Sequence, residues 1–108
     1  MFRITPVVGD FTAKVSMVPS TPNQWTRLVL ANPDRAILFL TNSTNASNIY
    51  YSVPGYMQSN NGLFQISPGN NLRFTWSLDG PMSTLEWWYF YPSVSASVIT
   101  AIEWIWQP

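Results

Sequence analysis

The strongest candidates for acid–base chemistry in this sequence are five carboxylates, those of Asp10, Asp34, Asp79, Glu86 and Glu103. The sequence contains no histidine and no cysteine, which excludes imidazole bases, thiolate nucleophiles, disulfides and metal sites built from those side chains. A glycosidase needs two carboxylates about 5 to 9 Å apart across a cleft. Glu86 and Glu103 could approach each other if their strands are adjacent, but carboxylates on a flat sheet face usually pair with arginine or stay in water. We therefore expect no enzyme activity, no cofactor and no metal.

The charge balance argues against nucleic acid and membranes as partners. Five lysines and arginines balance five acids, so the net charge is zero, whereas a nucleic-acid or anionic-lipid partner requires a basic patch. The N-terminus lacks the basic start and apolar run of a signal peptide, and the longest apolar run, residues 36–40, is far shorter than a membrane span of roughly 20 residues. We expect a protein made in the cytoplasm.

Proline and glycine punctuation predicts strands rather than helices. Nine prolines and five glycines cut the 108 residues into pieces that are too short for ordinary helices, and the pieces are rich in β-branched and aromatic residues. We predict strands near residues 12–18, 25–30, 36–42, 49–53, 63–66, 71–76, 85–91 and 98–105. This spacing predicts an all-β fold, a single antiparallel β-sandwich of the jelly-roll or immunoglobulin-like type, over residues 11–108. Residues 1–10 form either an arm that reaches a neighbour or an ordinary frayed end.

Three turn signals suggest how these strands connect. Asn32-Pro33-Asp34 predicts a tight turn that joins residues 25–30 and 36–42 as a hairpin. Asn61-Gly62 is the strongest short turn signal of the sequence, because both residues tolerate positive φ. Pro68-Gly69 predicts a further turn.

The last two predicted strands carry large apolar groups on both sides. If Trp87 and Tyr89 point inward, then Glu86, Trp88 and Phe90 form an outer face. On the neighbouring strand this assignment places one set inward (Val98, Ile102 and Trp104) and another outward (Ala101, Glu103 and Ile105). A slip of one residue reverses the assignment.

The aromatic excess has three interpretations. Six Trp, five Tyr and six Phe exceed what one small core needs. The surplus aromatic residues either lie on the surface without a function, or form a contact with another chain, or stack on sugar rings as in a carbohydrate-binding module. We favour a subunit or partner interface that contains Trp88, Phe90, Tyr91, Ile105 and Trp106.

A series of short motifs follows the predicted strands in order: RLVL (27–30), RAILFLTN (35–42), NIYY (48–51), GLFQISPG (62–69), LRF (72–74), Trp88-Tyr89 and a final strand that ends near Glu103. Their order resembles that of small β-sandwich virion proteins of tailed bacteriophages. The resemblance covers residues 25–105, and the C-terminal tryptophan density departs from it.

The resemblance implies a structural virion protein, such as a capsid decoration or cement protein, a head-fibre base or a tail component. Its expected partners are copies of itself, in a symmetric oligomer such as a trimer, and other virion proteins such as the major capsid protein. The expected location is the virion. The alternative function is a carbohydrate-binding module with an aromatic stacking face.

Overall fold

The computed structural model describes residues 10–44, 47–58, 61–93 and 97–107. Each predicted strand is confirmed, with ends that shift by no more than two residues. The predicted arm, residues 1–10, lies outside the described residues except for Asp10, which begins the first strand. The strands are β1 (Asp10–Pro19), β2 (Trp25–Val29), β3 (Arg35–Thr41), β4 (Ile49–Ser52), β5 (Phe64–Ile66), β6 (Asn71–Thr75), β7 (Trp87–Phe90) and β8 (Val98–Gln107).

A short helical segment separates β6 from β7. It consists of the single-turn helix α1 (Trp76–Asp79) and the 3-10 helix Gly80–Thr84, so the predicted strand 71–76 ends one residue early. In the part of the chain that the structure describes, no helix is long and apolar enough to cross a membrane.

The eight strands form two four-stranded antiparallel sheets. The first sheet has the order β1-β8-β3-β6, and the second has the order β2-β7-β4-β5. The pairs β1·β8, β2·β7, β3·β6 and β4·β5 are nested like the two arms of one long folded hairpin, with β3·β8 and β4·β7 joining them. This nesting is the connectivity of a jelly roll. The predicted all-β sandwich is confirmed, and its jelly-roll form is the one observed.

The hairpin predicted between β2 and β3 is wrong, although its turn forms. The Asn32 side-chain oxygen accepts a hydrogen bond from the Asp34 amide at 2.9 Å, and the Asn32 carbonyl accepts one from the Arg35 amide at 3.1 Å. However, β2 pairs with β7, whereas β3 pairs with β6 and β8. The turn therefore carries the chain from one sheet to the other. Local turn chemistry bends the backbone but does not determine which strands pair with each other.

The turn predicted at Asn61-Gly62 also differs from the observed one. Gln58 and Asn61 exchange two backbone hydrogen bonds of 3.1 Å each, so the observed turn precedes Gly62. Gly62 does not have a positive φ, whereas Gly55, Gly69 and Gly80 do among the described glycines. Gly62 is required for a different reason. A Cβ at this position would lie 2.9 Å from both the Trp25 ring and the Tyr51 carbonyl oxygen, so glycine permits a close approach of this segment to the second sheet.

The turn predicted at Pro68-Gly69 is confirmed. Gly69 has a φ of 81°, and the Asn70 amide donates to the Ser67 carbonyl at 3.1 Å. A proline followed by a glycine in the left-handed region is typical of a type II turn.

An aromatic cluster joins the two sheets at the centre of the core. Phe74 of β6 stacks on Trp87 of β7 with ring centroids 5.0 Å apart, and Phe64 of β5 meets Phe74 edge-on at 5.4 Å. The Trp87 indole is fully buried and donates to the Met82 carbonyl at 3.1 Å, so its polar atom is satisfied.

Two buried tyrosines join the sheets near one end of the sandwich. Tyr51 and Tyr89 are register neighbours in the second sheet, and their hydroxyls each donate at 2.6 Å to a carbonyl of the first sheet. The acceptors are Thr41 and Val18. Burial raises the pKa of both phenols above the ordinary value of 10, because the interior disfavours the phenolate.

These raised pKa values predict that the fold loses stability in alkali. Above about pH 10 the unfolded chain releases the two phenolic protons while the folded chain keeps them, so the unfolding free energy must fall by up to about 1.4 kcal/mol per pH unit for each tyrosine. Urea unfolding between pH 8 and pH 12 measures the slope. The variants Tyr51→Phe and Tyr89→Phe should each flatten it, and an unchanged slope in both would contradict the assignment.

Candidate functional site

Glu103 points into the sandwich, which corrects the predicted orientation of the last strand. On β8 the inward residues are Ile99, Ala101 and Glu103, all buried, so the expected inward set differs by a slip of one residue. The sequence did not determine which side of this strand faces the core, because the residues on both sides are largely apolar. Strands β7 and β8 also lie in different sheets, so they are not neighbours.

The buried Glu103 carboxylate is paired with Arg35. The Arg35 Nε donates to Glu103 Oε1 at 2.8 Å, and Nη2 lies 2.7 Å from the same oxygen. The hydroxyl of Ser16 donates to the second oxygen, Oε2, at 3.5 Å. Both charged side chains are almost completely buried, and a buried pair of this kind is stable only when its remaining polar atoms also find partners.

Arg35 reaches the interior because β3 contains a β-bulge. The register with β8 shifts between Arg35 and Ile37, which turns the Arg35 side chain inward although Ile37 and Phe39 point outward. Its Nη1 donates to the carbonyls of Ser83 at 3.2 Å and Leu85 at 2.9 Å, and its Nη2 donates to the carbonyl that follows β2 at residue 30. One guanidinium thus connects β8 to the segments that enter β3 and β7.

Glu86 and Glu103, the two carboxylates considered as a catalytic pair, do not come together in the fold. Glu86 precedes β7 in the second sheet and accepts a hydrogen bond from the Trp88 indole at 2.5 Å, whereas Glu103 is held by Arg35 in the first sheet. Among the described residues, no three side chains of His, Cys, Asp or Glu gather where they would hold a metal ion.

Two of the five predicted interface residues are buried within the single chain. Phe90 is 4% exposed and Tyr91 is 6% exposed, so the surface expected at these positions is absent. Phe90 lies on the outer side of β7, but the Trp25 ring covers it with centroids 5.6 Å apart. The Trp25 indole in turn donates to the Gln58 carbonyl at 3.0 Å, so the segment between β4 and β5 folds over this side of the second sheet.

The other three predicted interface residues are half-buried and do not share one surface. Trp88 lies on the outer side of the second sheet. Ile105 lies on the inner side of β8, where it pairs with Arg35 and Thr12 in register. Trp106 lies on the outer side of β8 opposite Phe11. Of the predicted set, only Trp106 therefore lies on the outer side of the first sheet.

Strand β1 is oriented with its apolar residues outward. Phe11, Val15 and Met17 are 50%, 56% and 66% exposed, whereas Lys14 and Ser16 alternate with them on the side that meets Glu103 and Ala101. A strand at the edge of a sandwich normally places its apolar residues in the core. The reversed orientation leaves a large apolar side open to solvent.

The neighbouring strands extend this apolar side into a continuous surface. The register sets Ile102 and Trp104 beside β1, and Ile37 and Phe39 beside Trp104 and Ile102 on the far side. We call this surface the apolar face. It comprises Phe11, Ala13, Val15, Met17, Ile37, Phe39, Ile102, Trp104 and Trp106.

Sequence reasoning missed most of the apolar face. The alternation of apolar and polar residues from Phe11 to Met17 predicts a strand, but it does not tell which side of that strand meets the core. Lys14 in this alternation favours the ordinary orientation, with the lysine outward and the apolar residues in the core, so the residue types of this stretch do not predict the reversal.

Loss of the buried ion pair should destabilise the fold severely. In Arg35→Met the Glu103 carboxylate stays buried without its partner, so we expect the unfolding free energy to fall by about 3 to 5 kcal/mol. Denaturant unfolding measures this loss, with Arg73→Met as the control because Arg73 is exposed. Adding Glu103→Leu to Arg35→Met should recover part of the loss. A loss below about 1 kcal/mol in the single variant would show that the pair is dispensable.

Comparison with protein-family models, with curated proteins and with solved structures finds no match to this chain. The resemblance to bacteriophage virion proteins therefore stays a prediction. The features of the chain that bear on its function are the geometry of the apolar face and the charges around it.

Proposed function

We propose that this chain is a structural protein that assembles with copies of itself, as decoration and other shell proteins of virions do. The observation that carries the proposal is the reversed orientation of β1, which exposes Val15 opposite Ile102 and Met17 opposite Thr100 on the side of the sheet that also carries Trp104. A continuous apolar surface of this kind is uncommon on a protein that works alone, and its usual role is a contact.

The occupant that fits the apolar face best is the apolar face of a second copy. The chain has no net charge, so copies do not repel each other. Among the described residues, the register places one charged side chain on this side of the first sheet, that of Arg73 on β6 at the far margin. Two such faces can therefore stack around a two-fold axis without burying unpaired charges between β1, β8 and β3.

The size of the face suits a contact that is repeated in an assembly. The apolar face lies on the three strands β1, β8 and β3, which together are about 25 to 30 Å long and roughly 14 Å wide, so two stacked faces bury on the order of 800 Å². That area is below the usual size of a specific interface between two isolated proteins. Many such contacts in one shell add their effects, so an assembly is stable even where a single pair is weak.

The composition of the face favours protein over carbohydrate as its partner. A sugar-binding surface needs hydrogen-bonding side chains beside its aromatic rings, whereas Trp104 is flanked in register by Ala13 and Ile37. Aliphatic neighbours of this kind pack well against another apolar surface but offer nothing to sugar hydroxyls.

Placing charges on the apolar face should abolish self-association. We expect the double variant Val15→Lys with Met17→Lys to raise the dissociation constant of self-association at least about a hundredfold, because each stacked pair would bury four unpaired ammonium groups. Light scattering over a wide range of protein concentration gives the molar mass of the wild type and of the variant.

The matched control is Tyr56→Lys, which changes an equally exposed residue in the segment that covers the second sheet. It should leave the molar mass unchanged. The unfolding free energies of all variants, measured with denaturant, should agree with that of the wild type within about 0.5 kcal/mol. A wild type that stays monomeric at millimolar concentration, or a double variant that still associates, overturns the proposal. Binding to a glycan that is lost in the double variant would favour the carbohydrate alternative instead.

A further inference from the structure

The Asn61-Gly62 motif lies in the segment that connects β4 to β5 and crosses the outer side of the second sheet. We call residues 53–58 and 61–63 of this connection the cover segment. The Trp25 indole donates to the Gln58 carbonyl at 3.0 Å, and Gln58 in turn exchanges two backbone hydrogen bonds with Asn61. The cover segment is therefore held on the sheet through Gln58, and Asn61 holds Gln58 in place.

Gly62 fits closely against the second sheet at the end of the cover segment. A Cβ at this position would lie 2.9 Å from the Trp25 ring, 2.9 Å from the Tyr51 carbonyl oxygen and 3.2 Å from the Ser52 Cβ. Ser52 is completely buried although its register partner places it on the outer side of the sheet. The fit leaves no space for an additional atom in the backbone between Asn61 and Gly62.

The Asn61 side chain is exposed and lies against the backbone amide of the next residue. The Gly62 amide donates to Asn61 Oδ1 at 2.9 Å. This hydrogen bond holds the Gly62 nitrogen beside the side-chain amide of Asn61 and polarises its carbonyl. Glycine has no side chain that would shield its own nitrogen. A nucleophile and an electrophile that can react within one chain are thus held close together, which is the main requirement for an intramolecular reaction.

We propose that Asn61 is a site of spontaneous deamidation in the folded chain, and that its isoaspartyl product releases the cover segment from the second sheet. After hydroxide removes the amide proton of Gly62, its nitrogen attacks Asn61 Cγ. The Cγ–Nδ2 bond breaks, ammonia leaves, and a cyclic succinimide remains. Water then opens the ring at either of its carbonyls, which gives aspartate or isoaspartate. The net reaction consumes one water and releases one ammonia, and it needs no oxidant, reductant or cofactor.

The two products act differently on the cover segment. Both add one negative charge to a chain that has no net charge. In the isoaspartyl form the main chain runs through Cβ and Cγ of residue 61, so the connection to Gly62 is one carbon longer. The carbonyl that accepts from the Gln58 amide becomes part of a free carboxylate. The Trp25 indole then loses its fixed acceptor, and Phe90 loses the ring that covers it. The aspartyl form keeps the original backbone and should keep the cover segment in place.

The proposal does not rest on self-association. The cover segment lies on the second sheet, whereas the apolar face lies on the first. The double variant Val15→Lys with Met17→Lys should therefore deamidate at the rate of the wild type, whatever its molar mass in solution.

Mass spectrometry of the aged full chain measures the reaction. Each deamidation adds about 1 Da, and fragmentation by electron transfer locates it and distinguishes isoaspartate from aspartate. The rate at Asn61 should rise from pH 6 to pH 9, because hydroxide must remove the Gly62 proton. We expect the folded chain to react within about threefold of the rate in guanidinium chloride, whereas a fold that held the two groups apart would slow the reaction about a hundredfold.

Asn42 is the matched control within the same chain. It precedes a small residue, serine, but it is buried, and its amide nitrogen donates to the carbonyls of Ser47 and Ile66 at 2.9 Å each. Asn42 should therefore stay unmodified in the folded chain and react in guanidinium chloride. The variant Asn61→Gln keeps a side-chain amide but must close a larger ring, so its rate at this position should fall at least about a hundredfold.

Hydrogen exchange tests the release of the cover segment. The variant Asn61→Asp has the mass and charge of the product without the longer main chain. In NMR spectra of the aged protein, the Trp25 indole and the Gln58 amide of the isoaspartyl species should exchange at least about tenfold faster than those of Asn61→Asp.

The outcomes decide the proposal. Deamidation at Asn61 in the folded chain, followed by faster exchange in the isoaspartyl species alone, supports it. A folded rate about a hundredfold below the unfolded one, or equal modification of Asn42 and Asn61 in the folded chain, overturns the reactive geometry. Equal exchange in the isoaspartyl species and in Asn61→Asp overturns the release of the cover segment.

Discussion

The buried ion pair of Arg35 and Glu103 is the constraint on which one end of this jelly roll depends. Two charges that leave water must satisfy all of their polar atoms inside the protein. Arg35 does so by donating to the backbone at residue 30, at Ser83 and at Leu85, which fixes the path of two connections between the sheets. The bulge in β3 follows from the same requirement, because without it the guanidinium would point away from Glu103.

The opposite end of the sandwich meets the same need for polar contacts between sheets with neutral groups. Tyr51 and Tyr89 extend from the second sheet to carbonyls of the first, and the stacked rings of Phe74 and Trp87 fill the space between the two ends. This arrangement uses most of the large aromatic residues of the second sheet inside the chain. The aromatic surplus that the sequence shows is thus divided, with one part buried and another part, on β8 and β1, left on the apolar face.

Local patterns predict the strands of this protein well, and they predict pairing and orientation poorly. The positions of the strands follow from proline and glycine punctuation, and the turn at Pro68-Gly69 follows from its residue types. The exchange of sheets after Asn32 does not, since the same turn can close a hairpin or connect two sheets. The orientation of β8 was ambiguous because both of its sides are apolar, and the burial of Phe90 depends on a distant segment around Gln58.

Strand β1 decides how copies of this chain can meet. Its outer side contributes Val15 and Met17 to the apolar face, and it is also the edge strand of the first sheet, with backbone groups that could pair with another chain. If copies joined edge to edge through β1, the apolar face would stay open to solvent on both of them. If two copies stacked through their first sheets, each apolar face would cover the other. Face-to-face stacking is therefore the one of the two arrangements that accounts for the reversed orientation of β1.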